Sequence, residues 1–109
     1  MYQKALDFVD YVYCVTKKFP KDELYGVISQ YKRSAASIPL NIAEGSGDTD
    51  AQFNRYLQMA WDSVKECVVC STIARRQDFI SVDEDQYARN KSSELAKMIT
   101  SLQRYLKKK

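Results

Sequence analysis

Cys67 and Cys70, separated by two valines, have the spacing of a thiol redox pair or half of a zinc site. Redox pairs of this spacing sit at helix N-termini, where the dipole lowers the thiol pKa. Here both cysteines fall inside a long segment of helical periodicity, on or beside its apolar face, with no second pair downstream. They read as buried structural cysteines. The chain contains no histidine, which removes the Ser-His-Asp triad, the Cys-His pair and histidine-liganded zinc or haem. Asp83, Glu84 and Asp85 form a carboxylate run, but they fit the first turn of a helix, where negative charge complements the dipole. Gly45-Ser46-Gly47 lacks the lysine and the preceding strand of a phosphate loop. No catalytic site, metal or cofactor is expected.

Polar surface is more informative. At ~100° per residue, Arg33, Ser37, Asn41 and Glu44 fall within about 60° of Gln30. A solvated helix face is usually rich in Lys and Glu. This one is mainly amide and hydroxyl, which points to hydrogen-bonded contact between helices or between subunits. Basic residues gather near helix ends: Lys17, Lys18 and Lys21, then Arg75 and Arg76, then Lys107, Lys108 and Lys109. The final three lysines equal the whole excess of 17 basic over 14 acidic residues. The first five are expected to share one pole of the molecule. Cations favour helix C-termini in any case, yet such clusters also suit phosphate contacts. The eight tyrosines and Trp61 could stack on bases. Most share faces with Val, Ile or Leu, which favours core or interface use.

These groups need elements to hold them. The 109 residues form one domain, 1–109, large enough for a core without disulfide or metal. With 45% hydrophobic and 28% charged residues the chain is an ordinary globular one. Three glycines and two prolines are too few for an all-β chain and suggest long helices. Apolar spacing of three and four marks a helix over about 3–18, stopped at Phe19-Pro20. A second runs over about 21–45, kinked but not ended by Pro39 and closed by Gly45-Ser46-Gly47. A third runs over about 50–78, capped by Asp48, Thr49 or Asp50. A fourth starts at Ser81 with a capping box to Glu84. Short loops make neighbours antiparallel, so the expected fold is an all-α, up-down-up-down four-helix bundle. Three sparse cysteines, an N-terminus carrying Asp7 and Asp10, and no long apolar run point to the cytoplasm and away from a membrane.

The run Ser37-Ile-Pro-Leu-Asn-Ile-Ala-Glu-Gly45, preceded by Phe19-Pro20, Gly26, Gln30 and Arg33, resembles a bacterial family signature. That family comprises four-helix-bundle proteins encoded by intervening sequences in large-subunit ribosomal RNA genes. The accessory variability determinant (Avd) proteins of diversity-generating retroelements are related to it. Phe53 to Ala60 resembles the family's entry into helix three. Ser63 and Glu66 match its Gly-Ser-x-x-x-Glu pattern, with Asp62 in place of the glycine. The resemblance implies a homopentameric ring with a central channel. For the retroelement relatives it implies nucleic acid binding through basic surface and contact with a reverse transcriptase. It carries no catalytic residue. It matches Gln30, Arg33, Ser37, Asn41 and Glu44 position by position, in support of a structural or subunit-contact role for that stripe.

The expectation is therefore a non-enzymatic oligomer binding RNA or DNA, largely without sequence preference, through Arg75, Arg76, Lys107, Lys108 and Lys109, then Lys17, Lys18 and Lys21. The alternative is a protein-interaction adaptor docking on a reverse transcriptase or a ribosome-assembly partner.

Overall fold

The computed structural model describes residues 1–109 as four α-helices with no strand. Helix α1 spans Tyr2–Val15 and runs into a 3₁₀ turn at Thr16–Lys18. After Pro20 come a 3₁₀ turn, Lys21–Glu23, and a wide π-type turn, Leu24–Ile28. Helices α2, α3 and α4 span Ser29–Gly45, Asp50–Arg76 and Val82–Lys108. The second segment is thus not one helix over 21–45. Gly26 leaves helical geometry at φ −106° and ψ −118°, and regular α-helix begins only at Ser29. The apolar stripe stays in phase across this break, so periodicity alone does not reveal it. Beyond it, α2 continues through Pro39, which is itself buried.

Local chemistry sets the other boundaries. Ser81 accepts from the Glu84 amide at 3.0 Å while the Glu84 carboxylate accepts from the Ser81 amide at 2.9 Å, a complete capping box. Of the three candidate caps for α3, Thr49 makes the bond, accepting from the Gln52 amide at 3.2 Å. Between α2 and α3 the chain turns at Gly47, whose φ of +89° favours a residue without Cβ. Gly45 is required for a different reason. A Cβ there would lie 2.8 Å from Tyr56 Cβ and 2.9 Å from Phe53 Cδ1, so the glycine lets α2 close against the start of α3.

Consecutive helices pack antiparallel. Ser37 meets Ser63 and Gln30 meets Glu66 between α2 and α3. Ser71 meets Asp85 near one end of the α3–α4 pair, and Gln103 meets Gln58 near the other. The bundle is 46 × 24 × 19 Å, with Val12, Tyr31, Ile38, Leu57, Leu95 and Ile99 wholly enclosed. Each large aliphatic side chain so buried contributes about 1.5–3 kcal/mol. Helix α1 packs closely on α2 but stands off from α4. Side chains bridge that seam: Lys4 to Glu94, Lys18 to Glu84, and the Tyr11 hydroxyl donating to the Glu84 carbonyl at 3.0 Å. No helix is long and apolar enough to cross a membrane.

Candidate nucleic-acid interface

The C-terminal half of α4 carries no acidic residue after Glu94. Its cations are Lys97, Arg104, Lys107, Lys108 and Lys109, all exposed. Lys97, Arg104 and Lys108 stand at i, i+7 and i+11, within about 40° of one another on the helix. Ser93, Thr100 and Ser101 share the shallow groove lined by Lys97 and Arg104. Lysine, arginine and hydroxyl side chains in a row are the donors that phosphate backbones recruit. Lys109 is held by Asp50 at 3.5 Å and lies 5.5 Å from the Tyr105 ring centroid, whereas Lys107 and Lys108 pair with no carboxylate. The helix C-terminus adds only about half a negative charge, which three lysines outweigh. Lys97 and Arg104 do not belong to any of the basic clusters of the sequence. Their signal is the i, i+7 spacing together with the absence of acids after Glu94.

The opposite pole brings Lys17, Lys18, Lys21, Arg75 and Arg76 to one end, but not as a free cationic patch. Antiparallel packing places the acidic first turn of α4 there too. Lys18 pairs with Glu84, whose carboxyl is held below its usual range by that lysine's hydrogen bond and the Ser81 amide. Arg75 Nε donates to Asp85 at 3.1 Å. Lys17, Lys21 and Arg76 form no ion pair within the chain. Lys17 and Lys21 face, together with Lys32, a depression floored by Phe19 and Ile28.

The polar stripe of α2 divides. Gln30 and Ser34 donate to Glu66 on α3 at 3.3 and 2.8 Å, and Ser63 donates to Ser37 at 3.0 Å. Asn41 donates back to the Ser37 carbonyl at 2.8 Å and to its hydroxyl at 2.9 Å. Gln30, Ser37 and Asn41 thus serve contacts between and within helices. Arg33 and Glu44 are exposed and have no partner in the chain. Leu40 on α2 and Met59, Val69 and Ile73 on α3 are also on the outer surface, each 43–67% exposed.

The Ser63–Glu66 pattern is therefore a receptor for the α2 stripe. Residues 1–101 match the 23S rRNA-intervening sequence protein family. The chain belongs to that family. A solved structure from the S23 ribosomal protein family of Bacteroides thetaiotaomicron, of unknown function, has the same fold at a TM-score of 0.85. It is 23% identical, over 93% of this chain and 95% of that one. No curated protein matches the chain.

In this member of the 23S rRNA-intervening sequence family, the match ends before Arg104 and the terminal lysines. Other polar groups are enclosed in the bundle. Asp85, 5% exposed, accepts from Ser71 at 2.7 Å, Arg75 at 3.1 Å and Arg89 at 3.0 Å. Burial pushes its carboxyl up, but hydrogen bonds from Ser71 and Arg89 and the charges of Arg89 and Arg75 outweigh this and hold it below its usual range. The Tyr31 hydroxyl lies beside Ser71, fully buried and without a partner of good geometry. Cys67 and Cys70 are buried free thiols. Burial raises both, Cys70 to about 11, the opposite of what thiolate chemistry needs.

Proposed function

We propose that this protein is a non-enzymatic, cytoplasmic oligomer that binds nucleic acid, RNA or DNA, through phosphate contacts. The observation that carries this reading is the acid-free C-terminal half of α4, where Lys97, Arg104 and Lys108 align along one exposed stripe. Lys107 adds a second unpaired cation at the same helix end, where Lys109 is held by Asp50. Lys17, Lys21 and Arg76 form a second, weaker set. Binding is driven by counterion release and carries little sequence preference. Five copies in a ring, as the family resemblance suggests, would multiply each stripe by symmetry and give many simultaneous phosphate contacts. Filter binding across salt tests this: the logarithm of affinity should fall linearly with the logarithm of salt concentration. Absence of binding at low salt, or a flat salt response, would show the reading to be wrong.

A second reading rests on the outer surface of α2 and α3, which carries unpaired Arg33 and Glu44 and exposed Leu40, Val69 and Ile73. That surface suits protein contact, either in the ring or as an adaptor to a reverse transcriptase or ribosome-assembly partner. Capture of such a partner that persists after nuclease treatment would favour the adaptor.

A further inference from the structure

The seam where α1 stands off from α4 encloses a cleft of about 230 Å³. Phe8, Tyr11 and Tyr87 supply its aromatic wall. The Tyr11 and Tyr87 rings lie 4.9 Å apart, tilted by 44°, and Phe8 stacks on Tyr11 at 6.2 Å. Tyr87 is 47% exposed at the rim, with the Lys91 ammonium 5.6 Å from its ring centroid. Of the other charged groups, Glu94 pairs with Lys4, while Asp7 accepts from the neutral Gln3 amide at 3.3 Å and keeps its charge. Lys91 is the lining cation that no carboxylate pairs.

We propose that this cleft receives a single unpaired nucleobase, stacked against Tyr87 and Tyr11, with Lys91 turned onto the adjoining phosphate. This rests on the nucleic-acid reading above and deepens it. The volume falls below the ~300 Å³ lower end of pockets for larger ligands and has no room for a base pair. A planar ring against tyrosine beside a free ammonium is the pairing that single-strand binders use. Lys91 covers Tyr87 now, but an exposed cation–π contact is weaker than a stacked base, so displacement is favourable. The ammonium then exchanges a ring for a phosphate. The site works mainly by stacking, with one phosphate contact at Lys91, whereas the α4 stripe works by charge alone, so the two separate by the size of their salt dependence. The cleft makes the protein prefer single strands, a preference the stripe alone would not give.

The experiment is fluorescence anisotropy on the full chain with a labelled single-stranded RNA of about 20 nucleotides and a duplex of equal length. Tyr87→Ala should weaken single-strand binding by roughly 5- to 150-fold, the range that ~1–3 kcal/mol per stacked base gives at 1.4 kcal/mol per tenfold. Duplex binding should be unchanged, and the single-strand salt slope should fall by no more than the ~0.7 that one lost Lys91–phosphate contact gives. Tyr87→Phe, which keeps the ring, should retain wild-type affinity. Unchanged single-strand affinity in Tyr87→Ala, or an equal loss on the duplex, overturns the cleft while leaving the charged stripe standing. Wild-type protein that binds neither probe overturns both.

Discussion

The Ser71 hydroxyl on α3 donates to the Asp85 carboxylate on α4 at 2.7 Å, with both residues buried. Arg75 and Arg89 complete the coordination of that carboxylate. One acid thus ties α3 to α4 and removes Arg75 from the pool of free cations.

Asp85→Asn should cost about 1.5–3 kcal/mol, the worth of hydrogen bonds to a charged group. Urea denaturation at neutral pH measures it. The Asp85 pKa is depressed in the folded state, so its stabilisation is fully present above the unfolded value near 3.9 and is lost as pH falls through the lower folded value. The gap between wild type and Asp85→Asn should therefore be full at pH 7 and shrink below about pH 4. A gap that widens in acid would contradict this assignment.

Gly45→Ala should destabilise by about 1–3 kcal/mol through overpacking against Phe53 and Tyr56. Thermal denaturation followed by circular dichroism reads the loss. An unchanged midpoint would mean that α2 and α3 do not approach closely at this point.

Thiol reactivity should separate the three cysteines. Cys14 is exposed, and Cys67 and Cys70 are buried with raised pKa. A disulfide-exchange reagent at mildly alkaline pH should modify one thiol quickly in the native protein and all three in denaturant. Rapid native reaction at Cys67 or Cys70 would revive a redox role.

Among the cations, removal of Lys107 to Lys109 should lower the salt slope of nucleic acid binding by about 0.9 for each duplex phosphate no longer neutralised. Arg104→Ala should do the same on a smaller scale. Arg75→Ala should leave the slope unchanged and instead weaken the fold, because that arginine is bound to Asp85. Equal slope changes for Arg75 and Arg104 would argue against the α4 stripe as the phosphate surface.

Light scattering should give a mass several times that of the monomer, and a charge-reversing Arg33→Glu should reduce it without loss of helix. Arg33 has no partner inside the chain, so its replacement should shift monomer stability by no more than about 0.5 kcal/mol. A monomeric wild type would remove the ring.

Much of this molecule is written in local sequence. Apolar spacing marks four helical segments, Ser81 and Glu84 mark the start of α4, and the neutral polar row on α2 marks a hydrogen-bonded face, open in sequence between another helix and another subunit. Such features are legible because each depends on residues a few positions apart. The break at Gly26 is not, since the stripe resumes in phase after it. Tertiary structure alone decided which charges remain free. Asp85 lies ten residues beyond Arg75, and Glu84 lies 66 beyond Lys18, yet antiparallel packing sets each against its cation and so pairs two of the five cations of one basic pole. The same packing gathers Phe8 and Tyr11 of α1 with Tyr87 of α4 around a cleft. A helical wheel assigns a residue to a face, but pairing and enclosure depend on what the next helix brings to that face.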